Sequence, residues 1–159
     1  MEKMVISSVK TEAGLAQLTI VGLVDEIGAI KSVFHELSEE KIVIDMILQS
    51  PGKDGKVDVI FTINKEIADL AADVLMSARK KLKFDTIQMN KKLAKVTLTG
   101  SGLMSHSDIV PRVLSCFNEC NAPMDVISTS EIAIKVFTDV DKAARAVELL
   151  REEFDDYGL

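Results

Sequence analysis

The stretch Val24-Asp25-Glu26-Ile27-Gly28-Ala29-Ile30 has the residue types and spacing best suited to chemistry. It leads into a predicted helix over residues 29–40, whose Ile30, Val33, Phe34 and Leu37 recur at i, i+3, i+4 and i+7. A helix N-terminus presents unpaired N–H groups and a partial positive charge, so it can hold a carboxylate. Gly28 lets a ligand approach the backbone closely. Asp25 can take an ammonium group. Together these features describe a site for a free amino acid. The same residues also fit a purely structural reading, with Asp25 as an N-cap and Gly28 as a turn residue. Residue types alone leave both open.

A matching turn, Ser105-His106-Ser107-Asp108-Ile109, precedes a predicted helix over residues 109–119. Asp108 at its start is a good cap, but its charge repels a ligand carboxylate there. The two turns are therefore not expected to bind equally. His106 reads as a turn residue ahead of an acid–base group. Ser128-Thr129-Ser130-Glu131 lies between two strands, either as a polar hairpin turn or as hydroxyls and an acid aimed at a ligand. Gln49 and Ser50 hold the same place in the first copy. Cys116 and Cys120 lie four apart on one helix, where a disulfide is disfavoured. No histidine stands at a zinc-like spacing from them, so both read as structural thiols. There is no phosphate-binding Gly-rich loop, Ser–His–Asp pattern or metal motif. No catalytic residue, metal or cofactor is expected.

Composition narrows the partners. The 159 residues carry a net charge of −6, with a pI of about 5.0, which argues against a nucleic-acid or anionic-membrane surface. Aromatic residues make up only 4%, with no Trp, so a base-stacking platform is not expected. Small molecules and proteins remain. No apolar run approaches a membrane span, and MEKMVISSVKTE lacks the apolar core of a signal peptide. A cytoplasmic protein is expected.

The elements that must position these turns come as a repeat. Leu18–Ser50 and Val96–Ser130 each run from an apolar strand ending in Gly, through a polar turn, to an amphipathic helix and a second apolar strand. The offset is 78 at the opening strand and 80 from the helix onward. Strands are predicted over residues 4–10, 15–22, 42–48, 57–63, 84–89, 94–100, 123–129 and 131–138, with a turn over 11–14. Further helices are predicted over 65–82 and 140–154. The order strand-helix-strand-strand-helix-strand is the ferredoxin-like split unit, with helices on one face of an antiparallel sheet. The expected class is α+β, with one such domain at 15–92 and a second at 93–159. The second copy lacks its last strand while a spare strand precedes the first. The N-terminal strand, 3–11, is therefore expected to complete the second domain, filling an edge otherwise liable to aggregate.

The blocks GSGLMSHSDIV and DVISTSEIAIKV closely resemble the regulatory tail of aspartate kinases. VGLVDEIG, IDMILQS and DVIFTI are similar to the first half of that tail. The resemblance covers essentially the whole chain, and the ISTSEI block is its most specific part. It implies a tandem pair of ACT domains that senses lysine, threonine or both for feedback inhibition, without the kinase catalytic domain. It also implies a homodimer through the ACT domains, with effector sites at that interface, and association with a catalytic α subunit. Carried over by position, the effector-facing set is Asp25, Ile27, Gly28, Ala29, Ile30, Asp45 and Gln49, with Ile109, Val110, Met124, Ser130 and Glu131 from the second module. Ile27, Val43, Ser50, Ser107, Asp108 and Pro123 depart from the family pattern. A free-standing tandem-ACT sensor that regulates another protein is the alternative reading.

Overall fold

The computed structural model describes residues 3–157. The chain divides into two compact units. The first is Gly14–Lys91, and the second joins the N-terminal segment up to Ala13 with the segment from Lys92 onward. Each is a ferredoxin-like arrangement of a four-stranded antiparallel sheet with helices on one face.

In the first unit the strand order is β2–β3–β1–β4. It uses the second half of β1 (Val5–Val24), β2 (Met46–Pro51), β3 (Lys56–Asn64) and the first half of β4 (Thr86–Ser101). β1 pairs with β3 from Leu15 opposite Asn64 to Val24 opposite Lys56, with an irregularity between Ile20 and Leu23. Gly22 sits in that irregularity at φ +72, and a Cβ there would lie 2.1 Å from Asp85 Oδ2. Alternation places Leu18, Ile20 and Phe61 on the helix side. They meet Val33 and Leu37 of α1 (Ala29–Glu39) and Leu75 of α2 (Ala68–Ser77) in one core. Phe34 packs edge-on against Phe61, ring centroids 5.5 Å apart.

In the second unit the order is β1–β4–β6–β5, with β5 (Val126–Thr129), β6 (Ala133–Asp139) and helices α4 (Ile109–Glu119) and α5 (Val140–Glu153). The first half of β1 supplies the strand beside β4. Met4, Ile6 and Val9 join Val113, Phe117, Leu150 and Phe154 in its core. Ser7 Oγ donates to Thr99 O at 3.1 Å, and Arg151 Nη2 donates to Val9 O at 2.9 Å. The backbones come so close that a Cβ on Gly100 would lie 2.3 Å from Val5 O.

Several elements differ from the sequence expectation. Residues 11–14 are not a turn: β1 runs unbroken from Val5 to Val24, with Gly14 at φ +78 inside it. The strands expected at 84–89 and 94–100 are likewise one, β4. Both polar stretches lie where a strand passes from one unit to the other, so their exposed side chains resemble those of a loop. β2 and β5 start four and three residues later than expected because both preceding helices end in a Schellman turn. Lys41 and Asn121 are left-handed at φ 57 and 53. The Ile42 amide reaches back to Leu37 O and the Ala122 amide to Phe117 O, at 3.1 and 2.9 Å. Ile42 and Ala122 therefore plug the core instead of opening a strand. The helix expected over 65–82 is interrupted. A 3-10 turn at Lys65–Ile67, capped by the Asn64 side chain, leads into α2, and Ala78 separates α2 from α3 (Arg79–Leu82). The bend seats Leu82 in the core. No helix among the described residues is long and apolar enough to cross a membrane.

Candidate functional site

The first turn leaves β1 at Val24 and enters α1 at Ala29. Its ends are anchored by backbone bonds: the Val24 amide donates to Lys83 O at 3.0 Å, and the Asp25 amide to Gly55 O at 2.9 Å. The N-cap is Gly28, not Asp25. It is left-handed at φ 87, and no side chain caps the helix. The Ala29 amide bonds Glu26 O and the Ser32 amide bonds Gly28 O, at 3.1 and 2.9 Å. The amides of Ile30 and Lys31 are left without an acceptor among the described residues. These are the donors a carboxylate needs. A cleft of about 430 Å³ opens beside them, lined by Gly28, Lys31, Ser32, His35, Glu36 and Lys81. A more open groove of about 540 Å³ lies farther along between α1 and α2, away from the turn.

The two acids of the turn are not equivalent. Glu26 accepts from Lys83 Nζ at 3.1 Å, whereas the Asp25 carboxylate has no partner among the described residues. Ile27 stands fully exposed, and Ala29 and Ile30 are half-buried against the core. Asp45 lies just before β2. Its amide bonds Thr62 O at 2.9 Å, and its Oδ2 accepts the Thr62 hydroxyl at 3.4 Å. Gln49, on edge strand β2, pairs with the core residue Val59, so its exposed side chain leaves the sheet on the helix side.

The second turn is built differently. Asp108 is the N-cap residue of α4 but makes no side-chain cap bond. Its carboxylate turns to Arg112 Nη1 at 3.4 Å. Pro111, at the position of Lys31 in the repeat, has no N–H to offer. Ile109 departs from the expectation: its side chain is 2% exposed and belongs to the core, and its amide bonds His106 O at 3.4 Å. Val110 and Met124 pack against that core. The Ser130 hydroxyl is engaged in its own turn, accepting the Ala133 amide at 3.1 Å. Glu131 is exposed and lines a cleft of about 230 Å³ with Ser101, Gly102, Met104, Ser105 and Ile132.

Arg112 joins several elements of the second unit. Its guanidinium donates to Glu153 Oε1 at 2.7 Å and to Tyr157 Oη at 3.3 Å, and lies 4.7 Å from the Phe154 ring centroid. The hydrogen bonds to Glu153 and Tyr157 push its pKa further up. It pins the start of α4 to the end of α5. Residue types did not disclose this cluster, nor the Glu26–Lys83 pair, because their members lie far apart in sequence. Among the described residues no group of His, Cys, Asp and Glu could hold a metal ion.

Comparison with known proteins agrees with the fold. A family model described as an ACT domain matches residues 96–154. The aspartokinase of Corynebacterium efficiens is 32% identical over 159 residues, covering 97% of this chain and 37% of that protein. The chain thus spans little more than a third of that relative. The crystal structure of the regulatory subunit of aspartate kinase from Thermus flavus superposes with a TM-score of 0.85 at 27% identity, covering 94% of this chain and 99% of that one. A chain in the crystal structure of aspartokinase alpha and beta subunits shares the fold, with a TM-score of 0.85 at 22% identity over 94% of this chain and 99% of that one. In sequence and in fold, the chain is similar to the regulatory, ACT-domain region of aspartokinases.

Proposed function

We propose that this chain is the amino-acid-sensing part of an aspartate kinase, taking lysine or threonine as effector for feedback inhibition. The observation that carries the reading is the uncapped start of α1. Two amides, of Ile30 and Lys31, have no acceptor among the described residues, Lys31 lines a cleft, and an unpartnered carboxylate, Asp25, stands in the same turn. The α-carboxylate would take the amides of Ile30 and Lys31, and the α-ammonium would take Asp25. The second turn is the poorer site, because Pro111 removes a donor and the Asp108 carboxylate stands at the helix start.

The edge strands β2 and β5 expose Ile47 and Ile127 at equivalent positions of the repeat. A second copy of the chain covering these edges would bury them. Inhibition then requires that the effector bind one state of the kinase assembly more tightly than the other. The partner in that assembly is the catalytic part of the enzyme. The related fold in a structure of aspartokinase alpha and beta subunits supports this choice.

Calorimetry tests the reading. Lysine or threonine should give a saturable isotherm that Asp25→Ala weakens about tenfold or more, as expected for loss of a charge-assisted bond. Absence of heat with both amino acids, from folded protein, would overturn it.

A further inference from the structure

Asp54 is the one aspartate or asparagine of the chain that is followed by glycine. With Gly55 it fills the centre of the turn between β2 and β3. Both residues are left-handed, at φ 55 and 72, and the Lys56 amide donates to Lys53 O at 3.1 Å across them. Positive φ at both central residues marks a type I′ turn, in which Asp-Gly is favoured. Asp54 is exposed, and its carboxyl has no partner among the described residues. The Gly55 amide likewise has no acceptor among the described residues. Asp54 lines an open cleft of about 430 Å³ with Gly52, Lys53 and Asp58, so water reaches it. The Gly55 carbonyl, by contrast, is engaged. It accepts the Asp25 amide at 2.9 Å and, with the Lys83 carbonyl on the Val24 amide, anchors the start of the first turn.

We propose that Asp54–Gly55 is a modification site, where the chain rearranges to isoaspartate through a cyclic imide and thereby releases the Asp25 amide. The Gly55 nitrogen attacks the side-chain carboxyl carbon of Asp54. A C–N bond forms, the carboxyl C–O bond breaks, and the amide proton leaves with the hydroxyl as water. Glycine has no Cβ to obstruct this approach, whereas a side chain follows every other aspartate of the chain. Water then adds to the imide carbonyl that was the Asp54 backbone carbonyl and breaks its bond to the Gly55 nitrogen. The main chain now runs through the former side chain, and the former backbone carbonyl is a free carboxylate. Water is the only reactant, and the net charge is unchanged. The main chain is longer by one C–C bond of about 1.5 Å. A two-residue turn has no slack for it, so the Lys53–Lys56 bond opens and the Gly55 carbonyl moves off the Asp25 amide. This chemistry belongs to the loop that holds the first turn and does not depend on a ligand there.

Folded wild type and Asp54→Gly are aged beside the free peptide 50–58 until most of the peptide has rearranged, with circular dichroism confirming the fold of each. A Gly-Gly pair keeps the type I′ turn and cannot form the imide. Electron-transfer fragmentation should find isoaspartate at position 54 in aged wild type and none in aged Asp54→Gly. Amide exchange is then followed by NMR on the separated modified protein. The Asp25 amide should exchange about fivefold faster than in fresh protein, on the scale of one net hydrogen bond. The Val24 amide, held by Lys83 O, should keep its protection. Aged, folded wild type without isoaspartate at position 54 overturns the proposal. Isoaspartate there with Asp25 exchange unchanged, or with Val24 protection lost equally, overturns the release of the turn.

Discussion

Replacing Ile6 by alanine should loosen the second unit and spare the first, although Ile6 lies near the N-terminus and the first unit follows it directly. Ile6 has no exposed surface and sits in the core with Leu98, Phe117 and Phe154. Ile→Ala removes three buried carbons, worth about 2.4 kcal/mol at about 0.8 kcal/mol each. The cavity left behind raises the expected cost to about 3–4 kcal/mol. A small domain has only about 5–15 kcal/mol in total. Hydrogen exchange read by mass spectrometry separates the units, because protection follows the local cost of opening. Protection should fall in β4 beyond Lys92, β6, α4 and α5 while holding in β3, α1 and α2. Ile20→Ala, at a core position of the first unit with no exposed surface, should give the converse. Loss of protection confined to Gly14–Lys91, or none at all, would refute the placing of the N-terminal strand.

Two further outcomes follow from the second unit. Arg112→Met removes a guanidinium that bonds Glu153 and lies over Phe154 and Tyr157, so the urea midpoint of that unit should drop by an amount worth about 1–3 kcal/mol. Burial pushes the Cys116 thiol up to about 11 from an ordinary 9.0. A thiol reagent at pH 8 should therefore modify the half-buried Cys120 well before Cys116. The folded pKa lies above the unfolded one, so the contribution of Cys116 to stability is whole below pH 9 and is lost as pH rises through 11. Urea midpoints across that range should fall less steeply in Cys116→Ala.

Much of the scaffold is legible in the residues. Helices α1 and α4 keep apolar side chains on one stripe, and the repeat sets their equivalence. The order of elements together with the spare N-terminal strand describes the ferredoxin-like plan. What the residues conceal is of two kinds. Lys10–Ala13 and Gln88–Lys92 are polar because β1 and β4 expose them between the two units, and exposed strand looks like loop. The partners of Glu26 and Arg112 lie 57 and 41 residues away, where no local pattern reaches. The capping of the first turn was not legible in its residues. Asp25 suits an N-cap, yet the left-handed Gly28 takes that position and leaves the carboxylate clear.

The central claim is that an amino acid is held at the start of α1. Amide resonances followed by NMR during titration with threonine and then lysine test it most directly. Saturable shifts should centre on Ile30 and Lys31, extend to Gly28, and vanish in Asp25→Ala. Saturable shifts confined to the second turn around Ile109 and Val110, or no saturable shift from folded protein, would contradict the account.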